Sequence, residues 1–267
     1  TDAIIVANPP YQYLNESWLA KTLRAADAQM PVRLFAPGAN VGNLFGISCV
    51  PQYLGLSPAA YFREDFLPQS AASAGTPWPD PALETALQRL AVTHILTQEP
   101  VPTLAPGWEL VAAGPDAFLN RVWARGSEPC YLYQSLQSPA RLQLLPAASG
   151  TTHIRERTPC RWVIDVDAST KSVLQLADLP DPGWTVSVQP ADAATALSAD
   201  QADSLPKSPF HRYVPVPQGR STVTWEYRPS SVRTGGLISL LTVLVLLGVV
   251  LHRRFRPSPA TAAAPHT

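Results

Sequence analysis

The chain is poor in net charge, cysteine, histidine and methionine, and each shortage excludes something. Lysines and arginines number 20, and so do aspartates and glutamates, so no global field draws in nucleic acid or an anionic surface. No basic patch interleaved with aromatics compensates, and nucleic acid is excluded as a partner. Three cysteines (Cys49, Cys130 and Cys160) cannot make a closed disulfide framework. A Cys130–Cys160 bridge is permitted in an oxidising compartment but not required. No cysteine or histidine grouping has zinc-ligand spacing, and the five histidines are scattered. No glycine-rich phosphate loop or Gly-x-Ser-x-Gly elbow is present, so no cofactor, metal or catalytic nucleophile is expected. The only methionine is Met30, and the opening Thr1 to Pro10 lacks the basic start and apolar core of a signal peptide.

Long apolar runs are equally scarce. The one that exists, Gly235 to Leu251, is followed at once by His252-Arg253-Arg254-Phe255-Arg256. With the residues before it, this run is expected to form a transmembrane helix over 231–252, apolar on every face. A buried helix of a soluble core is the alternative. The basic cluster places the tail 253–267 in the cytoplasm, where its Pro/Ala-rich composition predicts disorder, and residues 1–230 outside. A region exported without a leader of its own is expected to be a piece of a longer membrane protein, or a trimmed chain.

What is abundant is proline, 29 residues, which favours many short strands and turns. The expected architecture is α+β: a small mixed α/β domain over 1–129, an antiparallel β-sandwich over 130–230, then the helix. In the first part, Asn15 is expected to cap a helix through Gln29, Ser57-Pro58 to open a second, and Asp80-Pro81 a third carrying Leu83, Leu87 and Leu90. Val32–Phe35, Val92–Thr97, Trp108–Ala112 and Phe118–Trp123 read as strands. In the second part, Arg161–Asp167 alternates with Trp162, Ile164 and Val166 on one face. Ser172–Ala177, Trp184–Val188, Arg212–Val216 and Ser221–Tyr227 continue the series, with Ala191 to Ser208 as an insertion.

Candidate sites are few. Asp165 and Asp167 share a strand face, and are read as solvated carboxylates rather than a catalytic pair. Arg33, Asn40, Asn43 and Tyr53 are candidates for a polar recess that takes a sugar or phosphate headgroup. Trp184 reads as core packing ahead of a sugar-stacking platform.

Pro182-Gly183-Trp184, then Phe210 to Val223, then Trp225-Glu226-Tyr227-Arg228-Pro229 and the apolar helix resemble the C-terminal end of YfhO-family bacterial membrane proteins. Upstream, Arg33-Leu34-Phe35, Phe45-Gly46-Ile47, Gln52-Tyr53 and Leu90 to Thr97 fit the same family more loosely. The resemblance implies a polytopic parent related by architecture to glycosyltransferases that use lipid-linked sugars. In such enzymes acidic residues of the first extracytoplasmic loop carry the chemistry, and that loop is not in this sequence. Val188-Gln189-Pro190 also departs from the family's turn after its tryptophan strand. The implied partners are the lipid bilayer, other transmembrane helices of the parent and a lipid-linked sugar. The other class compatible with the sequence is a non-enzymatic, membrane-tethered binding or structural module of the cell envelope.

Overall fold

Alternation of apolar side chains on short strands builds three sheets, seen in a computed structural model that describes residues 10–36, 41–50, 66–68, 75–123, 126–191, 205–206 and 208–255. The first sheet has five strands in the order β2-β1-β3-β5-β4. These are β1 (Arg33–Phe35), β2 (Ser48–Val50), β3 (His94–Thr97), β4 (Trp108–Pro115) and β5 (Pro129–Ser135). β1 is parallel to both β2 and β3, whereas β5 runs antiparallel to β3 and β4. Consecutive residues point to opposite faces of a strand. Leu34, Cys49, Leu96 and Leu132 therefore enter one buried cluster, with Leu19 and Leu23 of helix α2 (Trp18–Gln29). Their neighbours Phe35, Val50, Ile95 and Tyr133 enter another, with Leu83 and Leu87 of α4 (Pro81–Arg89). Apolar runs without alternation, such as Ile95-Leu96, follow from this burial on both faces.

Short helices α1 (Pro10–Glu16), α3 (Val41–Leu44) and α5 (Ala117–Trp123) complete this part. Two local expectations fail here. The long helix begins at Trp18 and is capped by Ser17, while Asn15 lies within α1. Phe118–Trp123 is helical, not a strand. Both follow from Asp116, a fully buried carboxylate 97 residues from Leu19 of α2. It accepts from the Ser17 hydroxyl and the Leu19 amide, and also from the Phe118 and Leu119 amides. One side chain thus serves the orphan donors of two helix starts. By contrast Asp80 caps α4 at 2.8 Å to the Leu83 amide, with Pro81 first in the helix, as its sequence predicts.

The later strands form two antiparallel sheets, of orders β10-β12-β8-β7 and β11-β9-β6. The first holds β7 (Gly150–Thr158), β8 (Arg161–Ala168), β10 (Trp184–Pro190) and β12 (Gly219–Tyr227). The second holds β6 (Leu142–Leu145), β9 (Ser172–Leu176) and β11 (Arg212–Val216). Trp162, Ile164, Val166, Val223 and Trp225 share one core cluster with Leu144, Leu174, Leu176, Val214 and Val216 of the other sheet. Trp225 is 2% exposed. Trp225→Ala is expected to cost about 3–5 kcal/mol, read as a lower urea midpoint at unchanged slope.

The change of texture expected at residue 130 falls inside β5, whose pairing joins residues 129–135 to the first sheet. The three cysteines are free: Cys49 and Cys130 are buried, and Cys160 is exposed beyond the end of β7. The permitted Cys130–Cys160 bridge is not formed: Cys130 is buried in β5, and Cys160 lies in the exposed turn between β7 and β8. Helix α6 (Ser230–Phe255) follows β12 after two residues. Its 26 residues extend about 39 Å, more than the roughly 30 Å of a bilayer's hydrocarbon. The window Ser230–Gly248 has a mean hydropathy of 1.7 and no residue buried against the rest of the chain. Among the described residues it is the one helix long and apolar enough to cross a membrane. The expected Ser57-Pro58 helix and the Ala191 to Ser208 insertion lie largely outside the described residues.

Candidate functional site

Strand register assembles the main polar centre. β9 is the middle strand of its sheet, and Leu176 near its end faces both Leu142 of β6 and Arg212 of β11. Because both flanking strands are antiparallel to β9, their first residues lie beside its last. Arg141, just before β6, and Arg212, first in β11, therefore converge on Asp178, two residues past β9. Arg141 grips Asp178 with Nε at 3.0 Å and Nη2 at 2.8 and 3.0 Å. Arg212 Nη2 stands 3.9 Å from Asp178 Oδ2, an ion pair without a hydrogen bond.

The third cation comes from the first sheet. Arg33 opens β1, is 7% exposed, and crosses to pair with Asp178. Its Nη1 donates to the Leu90 and Ala177 carbonyls at 2.6 Å each. Two carbonyl acceptors and a carboxylate make burial of a guanidinium tolerable. Burial alone would raise the Asp178 pKa, but the guanidiniums of Arg141, Arg33 and Arg212 outweigh it. They hold the carboxyl well below the usual carboxylate range. Other ties cross the same junction: Arg157 pairs with Asp27, and His211 Nε2 donates to the Arg89 carbonyl at 2.8 Å. Burial, first of all, lowers the His211 pKa, consistent with a neutral ring.

Beside these charges lies a recess of about 350 Å³, lined by Arg33, Arg141, Asp178, Trp184, Arg212 and Tyr227 among others. Trp184 opens β10 and sits opposite Tyr227, the last residue of β12, with ring centroids 5.3 Å apart. The Arg212 guanidinium lies 4.0 Å over the Trp184 ring. Gly183 is needed for room: a Cβ there would stand 2.5 Å from the Tyr227 ring. The Asp181 side chain accepts from the Gly183 amide at 2.7 Å. Burial, and then the Asp181 carboxylate, push the Tyr227 phenol up. A second recess of about 520 Å³ adjoins the first across Ser48, Arg141, Asp178 and Trp184, and reaches Asn43, Arg157 and Trp162.

Of the residues singled out on the sequence, Arg33 and Trp184 line the first recess, and Asn43 and Trp184 the second. Asn40 and Tyr53 lie outside the described residues. Trp184 is half-buried, against Arg212 and Tyr227, at the margin of the core cluster. Trp184→Ala is accordingly expected to lower stability by about 1–3 kcal/mol, less than a fully enclosed tryptophan would, in a denaturant titration. Sequence reading missed Arg141, Asp178 and Arg212, since single charged residues at strand ends carry no periodic signal. Asp165 and Asp167 do not form a dyad. Asp165 is taken up by Arg155 and Thr222, and Asp167 faces Arg220 at 3.5 Å, on the outer surface of the sheet. Among the described residues no three His, Cys, Asp or Glu side chains converge to hold a metal ion. No protein-family model, curated protein or solved structure matches the chain.

Proposed function

We propose that this chain is the extracytoplasmic, non-catalytic portion of a YfhO-like integral membrane protein, docking a lipid-linked sugar for transfer to a cell-envelope acceptor. In this reading the first sheet with its helices, through β5, and the two later sheets, packed as a β-sandwich, are its two outer domains, and α6 is the last helix of the parent. Its C-terminus is cytoplasmic by virtue of Arg253, Arg254 and Arg256. Gly235, Gly236, Ser239 and Gly248 then permit close packing against other helices of the parent.

The observation that carries the proposal is the recess at the junction. Junctions of this kind are where ligand pockets concentrate, and its Tyr227 stands three residues before the first residue of α6. A ligand held there is within reach of a headgroup in the membrane that α6 enters. The recess offers cations and aromatic rings, but no carboxylate in it is left to act as an acid or base: Asp178 is saturated by arginines and Asp181 is engaged with Gly183 and Tyr227.

The test is titration of the full chain, in nanodiscs, with a short-chain polyprenyl-phosphate hexose, following tryptophan fluorescence and sugar release. Saturable binding without turnover is expected. Turnover by this chain would overturn the non-catalytic assignment. Failure to bind would leave the structural tether, a reading favoured by the ion pairs that pin the two halves together.

A further inference from the structure

The fate of Arg212 suggests what the recess reads. Its Nε donates to the Leu179 carbonyl at 2.9 Å, and Trp184 backs its flat face at 4.0 Å. Nη2 is too far from Asp178 for a hydrogen bond, and Nη1 is buried with no acceptor. Buried donors are nearly always satisfied, so one held rigidly beside a recess marks a position for an oxygen ligand. Charge points the same way. Among the described residues, the charged ones lining the recess are Arg33, Arg141 and Arg212 against Asp178 and Asp181.

We propose that the recess is a phosphate-group site, in which Arg212, seconded by Arg141, binds a phosphoryl oxygen next to Asp178. This rests on the recess being the docking site proposed above, and it assigns recognition to the charged group rather than to the sugar. Three features favour a phosphoryl group over other ligands. Guanidinium forks match its several oxygens with paired, charge-assisted hydrogen bonds. A carboxylate is already present in Asp178, yet it leaves Arg212 unsatisfied, so the remaining donors need an acceptor of wider reach. The Trp184 ring, covered by Arg212 on one side and met by Tyr227, is not an open sugar platform. Instead it fixes the orientation of the guanidinium. A membrane headgroup and a soluble phosphate ester share this chemistry, and the position of Tyr227 beside α6 is compatible with either.

The experiment uses the full chain in phosphatidylcholine nanodiscs, titrated calorimetrically with methyl phosphate at fixed ionic strength. Saturable binding is expected, weakened about tenfold or more by Arg212→Gln and only partly by Arg212→Lys. Arg220→Gln, on the outer face of the sheet, should bind as the parent does. As a control against unfolding of Arg212→Gln, the unaltered chain is also melted with methyl phosphate or with chloride at matched ionic strength. A rise in melting temperature specific to the phosphate supports the site, and equal curves overturn it. Phosphatidic acid in the nanodiscs should compete with methyl phosphate if the natural source is a headgroup. Undiminished binding identifies a soluble ester instead, and either result retains the phosphate site. If methyl glucoside binds and methyl phosphate does not, the phosphate assignment falls while the docking function stands. If neither these nor the polyprenyl-phosphate hexose binds, both fall.

Discussion

Asp178→Asn is expected to be the most destabilising polar substitution in the chain, by about 3–5 kcal/mol. The carboxylate is the common counter-ion of Arg33, Arg141 and Arg212, and its side chain and those of Arg141 and Arg212 are each only 11% exposed. Asparagine preserves the shape but withdraws the negative charge, leaving three guanidiniums to repel one another where water screens them poorly. The loss should appear as a lower urea midpoint, and as weakened contact between the halves, since Arg33 belongs to the first sheet and Asp178 follows β9. A change below about 1 kcal/mol would mean that the network is effectively solvated.

The same carboxylate sets an acid limit. Its folded pKa is depressed, so its contribution is complete above the unfolded value of about 3.9 and is lost as pH falls towards the folded one. His94 acts earlier. Burial lowers its pKa from 6.5 to about 4, so the unfolded state binds the proton first and stability declines as pH falls between those values. Unfolding free energy measured against pH should therefore slope downward from about pH 6.5, and Asp178→Asn should flatten only the part below about pH 4.

Leu244→Arg is the second large effect, and it concerns the membrane. Leu244 is 56% exposed within a helix segment of which no residue is buried among the described residues. A charge there leaves the folded part unchanged, so denaturant midpoints of the rest should not move. In a bilayer, however, an arginine near the centre of the span costs about 2.5–3.5 kcal/mol on insertion scales, on top of the lost leucine. In a cell-free insertion assay the altered α6 should integrate severalfold less well than the native helix. Equal integration would remove the case for a span, and a fall in the stability of the rest of the chain would indicate that α6 packs on protein instead.

These expectations draw unequally on sequence and structure. The apolar helix was legible because length and uniform apolarity are local properties that need no partner. So were β8 and β12, where Trp162, Ile164 and Val166, and Val223 and Trp225, alternate against a one-sided core, and so was the Asp80-Pro81 helix start. β7 was not legible. Its sequence, Gly150–Thr158, has Ile154 as its one large apolar residue and is a strand because β8 offers it a ladder. α5 read as a strand because the carboxylate of Asp116 that starts it also serves α2, about a hundred residues earlier.

The candidate site divides in the same way. Arg33 and Trp184 stood out as single residues, but neither discloses a partner. Arg33 and Asp178 are 145 positions apart, and only the register of β6, β9 and β11 brings Arg141 and Arg212 to the same carboxylate. The sequence by itself determined one apolar helix, the faces of the later strands and the absence of zinc-ligand spacing, since periodicity and spacing are written along the chain. Tertiary structure alone decided which charges meet, and that Trp184 backs an arginine at a recess on the margin of the core. Pairings of that kind depend on which strand ends lie side by side, and no local pattern records it.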